Sequence, residues 1–275
     1  MKKIAVIGLG LIGVSLLKAL QNKGYELYGV SKRPETITKA IDSGLVKDAR
    51  CDFDFIEEMD VVFIATPIEN VIETIENLKN TVKADAIIAD LASVKGFIMD
   101  YVNGLDIRLD YIGLHPMAGT ENKGFDAAQD GLFEGAKWAV IPAQFAKAQS
   151  IKFIIDLIAD IGSTTIMTTA PSHDRAVAIA SHMPMIVAQG IFLSANDELT
   201  KYLAASGFRD MTRLAMTNSQ MAKDMMKYNQ ESIMQALQSL GQNLQMLTQN
   251  YQTMNLDDIA QQRKNMYSED GKNQL

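Results

Sequence analysis

The feature that most constrains this chain lies at its start. A continuously apolar, β-branched run from Ile4 turns at Gly8-Leu9-Gly10-Leu11-Ile12-Gly13 into a segment, Leu11 to Asn22, whose apolar residues recur at helical spacing. Strand, glycine turn and helix in that order open a parallel α/β unit. In such a turn the first glycine allows the tight bend, the second lets a pyrophosphate approach the backbone, and the third permits close helix packing, while the helix N-terminal amides face the phosphates. Gly8, Leu9, Gly10, Leu11, Ile12 and Gly13 are therefore candidate cofactor-binding residues. The spacing alone is a weak signal, so the context carries the assignment; a turn that binds nothing is the alternative.

The α/β rhythm continues along the chain. Strand signals at Glu26 to Val30, Asp60 to Ala65, Ala86 to Asp90, Tyr111 to Leu114 and Trp138 to Pro142 are interleaved with helical patterns at Glu35 to Ser43, Val71 to Asn80 and from Lys95. This predicts an α/β fold class, an N-terminal Rossmann-type mostly parallel sheet over 1–168. Beyond Thr168 strand signals vanish, and Met, Gln and Ala accumulate in three or four long helical patterns, which predicts an all-helical domain over 169–275. Within it Ile233, Leu237, Leu240, Leu244 and Leu247 form an apolar stripe that needs a partner, in its own domain or in a second copy of the chain. The polar stretch from Ser268 should fray.

Composition narrows the function classes. With 275 residues, 47% of them hydrophobic, the chain can bury two cores. A formal net charge of −7 and the absence of any basic run argue against a nucleic-acid partner. Cys51 is the single cysteine, and with three histidines it leaves too few soft ligands for a structural zinc, so no metal is expected. Glycines and Lys18 interrupt the apolar start that might pass for a signal peptide, and no stretch approaches roughly 20 uninterrupted apolar residues. A soluble, cytoplasmic protein without a membrane partner is expected.

The second strand ends in Val30-Ser31-Lys32-Arg33, where an NAD-preferring site usually places a carboxylate for the ribose 2′-hydroxyl. A hydroxyl and two cations, Ser31, Lys32 and Arg33, suit a 2′-phosphate instead, which predicts NADP; a solvated basic turn is the alternative. Thr66 and Pro67 should border the cofactor cleft, because open α/β sheets bind ligands beyond the carboxyl ends of their strands.

His115 stands where a buried strand ends, followed by small residues that admit a ligand. Hydride loss from a carbinol carbon requires a base for the hydroxyl proton, and an imidazole titrates in the right range. Ser93 ends a neighbouring strand and could orient that contact or bind at the cofactor, or it could cap the next helix. His182 has two readings, a substrate contact or a buried interhelical hydrogen bond, whereas His173, beside Pro171 and Ser172 at a helix start, should be exposed. Arg209 and Arg213, four residues apart with Asp210 between them, would share a helix face and could clamp an anionic substrate; a surface salt-bridge cluster is the alternative.

Taken together, GLGLIG at Gly8, ATP at Ala65, ASVK at Ala92, HPMAGTE at His115, SHMP at Ser181 and GFRDMTR at Gly207 resemble the prephenate/arogenate dehydrogenase family, in order and over nearly the whole chain. The resemblance implies a homodimer with a helical dimerisation domain, and oxidation of a hydroxycyclohexadiene with loss of carbon dioxide. By similarity His115 takes the ring hydroxyl proton and Ser93 orients it. Thr120 lines the pocket, and Arg213 binds the substrate carboxylate with Arg209 and Asp210 in support. One departure bears on substrate. Prephenate-using relatives often carry a second histidine directly after the SHxP segment, where this chain has Met185. Together with the basic Ser31-Lys32-Arg33 turn, that departure implies arogenate and NADP. Rival readings are another NADP oxidoreductase with a Rossmann head and helical tail, and a non-catalytic NADP-sensing protein.

Overall fold

The computed structural model describes residues 1–120 and 122–267; Glu121 of the HPMAGTE segment and the stretch from Ser268 lie outside the described residues. Eight strands form one sheet: β1 Lys3–Ile7, β2 Glu26–Val30, β3 Asp48–Arg50, β4 Val61–Ile64, β5 Ile87–Asp90, β6 Asp110–Pro116, β7 Lys137–Pro142 and β8 Thr164–Met167. The helices that alternate with them are α1 Leu11–Leu20, α2 Pro34–Asp42, α3 Val71–Leu78, α4 Gly96–Asn103 and α5 Ala148–Asp160. Strand order is β3-β2-β1-β4-β5-β6-β7-β8, parallel throughout except that β7 runs antiparallel to β6. The order reverses between β1 and β4, which opens a crevice at the carboxyl edge where the glycine turn leaves β1.

Because helices cover both faces, consecutive strand residues are buried alternately in two cores, which is why the strands read as unbroken apolar runs. Ile4, Val6, Val61, Phe63, Ile112 and Leu114 join one core with α1 and α5, and Ala5, Ile7, Val62, Ile64, Ile88 and Tyr111 join the other with α3 and α4. The short edge strand β3, the strand β8 and the helix α5 add to the elements read from sequence. β3 and β8 have little apolar alternation, and backbone pairing with β2 and β7 defines them.

Helices follow from Ala170: α6 Ala170–Val177, α7 Met183–Ser194, α8 Glu198–Leu203, α9 Ser206–Thr212, α10 Ser219–Tyr228, α11 Gln230–Asn250 and α12 Leu256–Tyr267. A five-residue π turn, Ala178–His182, joins α6 to α7. Pro184 cannot donate to the Ala180 carbonyl and its ring crowds that carbonyl, and the wider turn just before it accommodates both defects. The continuous helix Ala170–Ser194 is long and apolar enough to cross a membrane by length and composition, which the criterion of uninterrupted apolar residues does not anticipate. Asp174, Arg175 and two histidines interrupt it, and His173, Asp174 and His182 are buried in protein contacts. In the α11 stripe Ile233 is buried and Leu237 and Leu240 are half-buried, while Leu244 is exposed, so the stripe is only partly covered by its own domain.

Backbone packing at the glycine turn is unforgiving. Gly8 has φ +102°, its amide donates to the Val30 carbonyl at 2.8 Å, and a Cβ on Gly13 would stand 2.1 Å from the Gly8 carbonyl oxygen. No side-chain rotation relieves that clash. Gly13→Ala is expected to lower the unfolding free energy by about 1–3 kcal/mol or more, read from the urea midpoint. An unchanged midpoint would mean that α1 does not close on the turn as described.

Candidate active site

The residues present at the crevice fit a dinucleotide. Cβ atoms on Gly8 and Gly13 would strike backbone, whereas one on Gly10 would meet only open space, so the turn is tight on its protein side and bare where a pyrophosphate would lie. Gly10 is also the N-cap of α1, whose first amides are free to face an anion. At the end of β4 the Thr66 hydroxyl is buried with no hydrogen-bond partner among the described residues, a vacancy suited to a polar ligand group, and Pro67 is exposed beside it. Ser31 follows β2 and accepts from the Arg33 amide at 3.3 Å. Lys32 lies 3.7 Å from Glu73 in an exposed pair that contributes little, while the exposed Arg33 guanidinium makes no bond within the described residues.

β6 outlasts its parallel neighbour. Gly113 pairs with Asp90, the last residue of β5, so the strand's next residues, including His115, project beyond the sheet's parallel part, where pairing with Ala139 of β7 holds His115 in place. The imidazole is not alone. Its Nδ1 lies 2.8 Å from Nε2 of His173, and Nδ1 of His173 lies 2.7 Å from Asp174 Oδ1. The Asp174 carboxylate caps α4 from across the domain boundary, accepting the Lys95 amide at 2.9 Å and the Gly96 amide at 2.7 Å. His173 is 4% exposed, which corrects the expectation that it faces solvent. Pro171 and Ser172 do mark a helix start, but this first turn docks on α4, so its histidine points into the protein. A histidine-aspartate pair inside an otherwise apolar helical run was the available signal.

Lys95 and Asp90 form a fully buried ion pair beneath the site, and Asp90 also accepts from the Ala92 amide at 2.9 Å and the Tyr111 hydroxyl at 2.8 Å. Desolvation outweighs the attraction of Asp90 and holds Lys95 below its ordinary value. His115 lies well below its own, first through burial, then through the charges of Lys95, His173 and His182, so the imidazole is neutral. Ser93 is half-buried at the end of the same loop. It forms no hydrogen bond to His115 and is not a helix cap, since Lys95 occupies that position and Asp174 supplies the cap.

The other candidates are less gathered. His182 lies within the π turn, buried, with Nδ1 facing Asn229 Nδ2 at 3.3 Å; the same amide donates to the Asp174 carbonyl at 2.8 Å. Burial lowers His182 to about 4. Thr120 is half-buried and accepts from the Asn122 amide at 3.3 Å. Arg209 and Asp210 sit exposed on α9, and Arg213 begins a separate 3-10 turn, so the two guanidiniums do not share one regular helix face. Within the described residues none of these three is bonded to the His115 cluster or paired in a salt bridge. Tyr202, Leu203, Met211 and Met216 around them are exposed as well.

A sheet with a bare glycine turn at its switch point, a neutral histidine beyond β6 and a helical second half defines a two-domain nucleotide-binding protein with a chemically equipped cleft. Comparison with known proteins narrows that class. The description "Prephenate dehydrogenase, nucleotide-binding domain" matches residues 16–167, and "Prephenate dehydrogenase, dimerization domain" matches residues 169–265. The chain is 30% identical over 241 residues to a prephenate dehydrogenase of Bacillus subtilis, covering 84% of this chain and 65% of that relative, so it spans a little less than two thirds of the relative's length. A solved structure of Synechocystis arogenate dehydrogenase superposes with a TM-score of 0.86 at 33% identity, covering 95% of this chain and 97% of that one. Prephenate dehydrogenase from A. aeolicus, solved with hydroxyphenyl propionate and NAD+, gives 0.83 at 27% identity and 91% of each chain. This chain belongs to the prephenate dehydrogenase family.

The buried histidines make stability depend on pH. From about 6.5 down to about 4 the unfolded chain binds a proton that folded His182 refuses, so stability falls as pH falls through that window, by at most about 1.4 kcal/mol per pH unit for each histidine held neutral. Urea midpoints should drop between about pH 7 and about pH 5, and His182→Gln should flatten the slope. An equal slope in the variant would contradict the buried neutral state.

Proposed function

We propose that this chain catalyses the NADP-dependent oxidative decarboxylation of arogenate to tyrosine, acting as a homodimer, with His115 as the base. The observation that carries the reading is the His115 imidazole, held beyond the end of β5 by pairing with β7 and bonded to His173, on the same sheet as the bare glycine turn. When bound, the oxidised nicotinamide supplies the acceptor for the hydride that leaves the substrate's carbinol carbon. The chain's own residues do the rest. His115 takes the hydroxyl proton as the hydride departs, the ring carboxylate is lost as carbon dioxide, its electron pair completing the aromatic ring as a phenolate, and the imidazolium returns the proton to that oxygen to give the phenol. Ser93, on the loop that follows β5, orients the hydroxyl, and Thr120 borders the pocket. Arg213, supported by Arg209 and Asp210, binds the substrate carboxylate, and its exposed guanidinium leaves it free to do so. His182 supports the site through Asn229. Gly8 to Gly13, Ser31, Lys32, Arg33, Thr66, Pro67 and Ser93 hold the cofactor.

Met185 supports arogenate. It is 3% exposed on α7, three residues after His182, and brings no cation there for a keto-acid side chain. Similarity to the Synechocystis arogenate dehydrogenase favours the same substrate. The second reading, prephenate with NAD, is favoured by the Bacillus subtilis relative and by the NAD+ bound to the A. aeolicus enzyme.

Steady-state assays with arogenate and prephenate, each with NAD and NADP, test both readings; higher kcat/KM for prephenate with NAD would select the second. His115→Asn is expected to lower kcat by about 100-fold or more while cofactor affinity holds, and retained turnover would remove His115 as the base. Arg33→Asp should raise kcat/KM with NAD relative to NADP by about tenfold or more, because it exchanges a phosphate partner for a ribose acceptor. No shift in that ratio would place the 2′-phosphate elsewhere.

A further inference from the structure

Two buried groups take no part in the proton transfer itself, the His173 imidazole and the Asp174 carboxylate. We infer that they are positioning residues that fix the tautomer of His115, leaving its Nε2 bare to act as the base, and that they do so only while α6 is docked on the N-terminus of α4. The inference rests on the reading of His115 as the base.

The argument starts at Asp174. Its Oδ2 accepts the Gly96 amide and its Oδ1 accepts the Lys95 amide, while Oδ1 also lies 2.7 Å from His173 Nδ1. Both carboxyl oxygens of Asp174 already accept backbone N–H donors and so act as acceptors, which makes His173 Nδ1 the donor of the bond between them. A neutral imidazole protonated at Nδ1 has a bare Nε2, and that nitrogen faces His115 Nδ1 at 2.8 Å. The bond then requires a proton on His115 Nδ1. The remaining nitrogen of His115, Nε2, is left to accept from a substrate hydroxyl.

The charged and titratable groups around the pair are Lys95 and Asp90 from the sheet domain, and Asp174 and His182 from the helical part. Asp90 is committed to Lys95, Tyr111 and the Ala92 amide, and His182 is neutral. Among the described residues Asp174 is therefore the one carboxylate that reaches the histidines. A doubly protonated His173 would reverse the bond to His115 and silence its Nδ1–H, so the two arrangements are chemically distinct.

The docking itself is built into the sequence. A Cβ on Gly96 would stand 2.9 Å from Asp174 Oδ2, so a larger residue there would push the carboxylate away from the two amides. Next to it Phe97 stacks on Tyr228 of α10 with centroids 4.3 Å apart, and Asn229 Nδ2 donates to the Asp174 carbonyl. The first contact joins α4 to α10, and the second ties Asp174 of α6 to the residue between α10 and α11, so the helical part holds the carboxylate in place.

The test uses the full chain labelled with 15N-histidine and without substrate, where imidazole shifts report which ring nitrogen carries the proton. The expected result is a protonated Nδ1 and bare Nε2 on His115, turning into a tautomer mixture in Gly96→Ala, which displaces the Asp174 carboxylate without removing it. An Nε2-protonated His115 in the unmodified chain overturns the inference. In turnover, His173→Phe should lower kcat by about 100-fold with KM within about twofold, and His173→Gln, whose amide oxygen can accept from Nδ1, should recover about tenfold of that. A His173→Phe kcat within about twofold of the unmodified enzyme also overturns it. If His115→Asn is inactive while His173→Phe is unaffected, the base survives and the relay alone is lost; if His115→Asn turns over, the base reading itself has failed.

Discussion

The site depends on one carboxylate crossing a domain boundary. Asp174 satisfies two amides that helix α4 leaves unpaired at its start, and in the same position it bonds the histidine that bonds His115. Orphan amides at a helix N-terminus favour an anion, and here the anion comes from the helical half of the chain. Helix capping, domain docking and orientation of the imidazole are thus one set of hydrogen bonds. Losing the cap would leave buried donors unsatisfied and would release His173 at the same time.

The Lys95–Asp90 pair beneath it serves a different end. A fully buried ion pair is weak evidence for stability, because desolvation offsets the attraction, yet removing one partner commonly costs about 3–5 kcal/mol. Asp90 is secured by a tyrosine hydroxyl and a backbone amide as well as by the ammonium, so the charge is fixed in place. Burial opposes protonation of the His115 imidazole first, and the fixed positive charge of Lys95 nearby acts in the same direction. The pair thereby adds to what burial does in keeping a potential base unprotonated.

The parts of the site differ in how far they could be read ahead of the structure. The glycine turn was legible because its function depends on local backbone shape, and His115 because a polar residue at the end of a buried strand is conspicuous. His173 was not. Its exposure depends on whether the first turn of α6 meets solvent or α4, and its partner lies 58 residues away in the chain. Ser93 was readable as a residue of the loop after β5, but not its failure to cap α4, since the cap arrives from Asp174. Arg209 and Arg213 were read as one helical face, and a change from α to 3-10 geometry after Thr212 separates them.

By itself the sequence determined the alternation of strand and helix, the apolar strands buried on both faces, the dinucleotide turn and the all-helical second half. Those follow from periodicity and glycine chemistry, which act over a few residues. Only the tertiary structure decided that β7 runs antiparallel and braces His115, that short β3 and β8 extend the sheet, and that His173 and Asp174 close on α4. Those outcomes depend on pairing between distant segments, where the free energy comes from burying groups and satisfying donors that the sequence lists far apart.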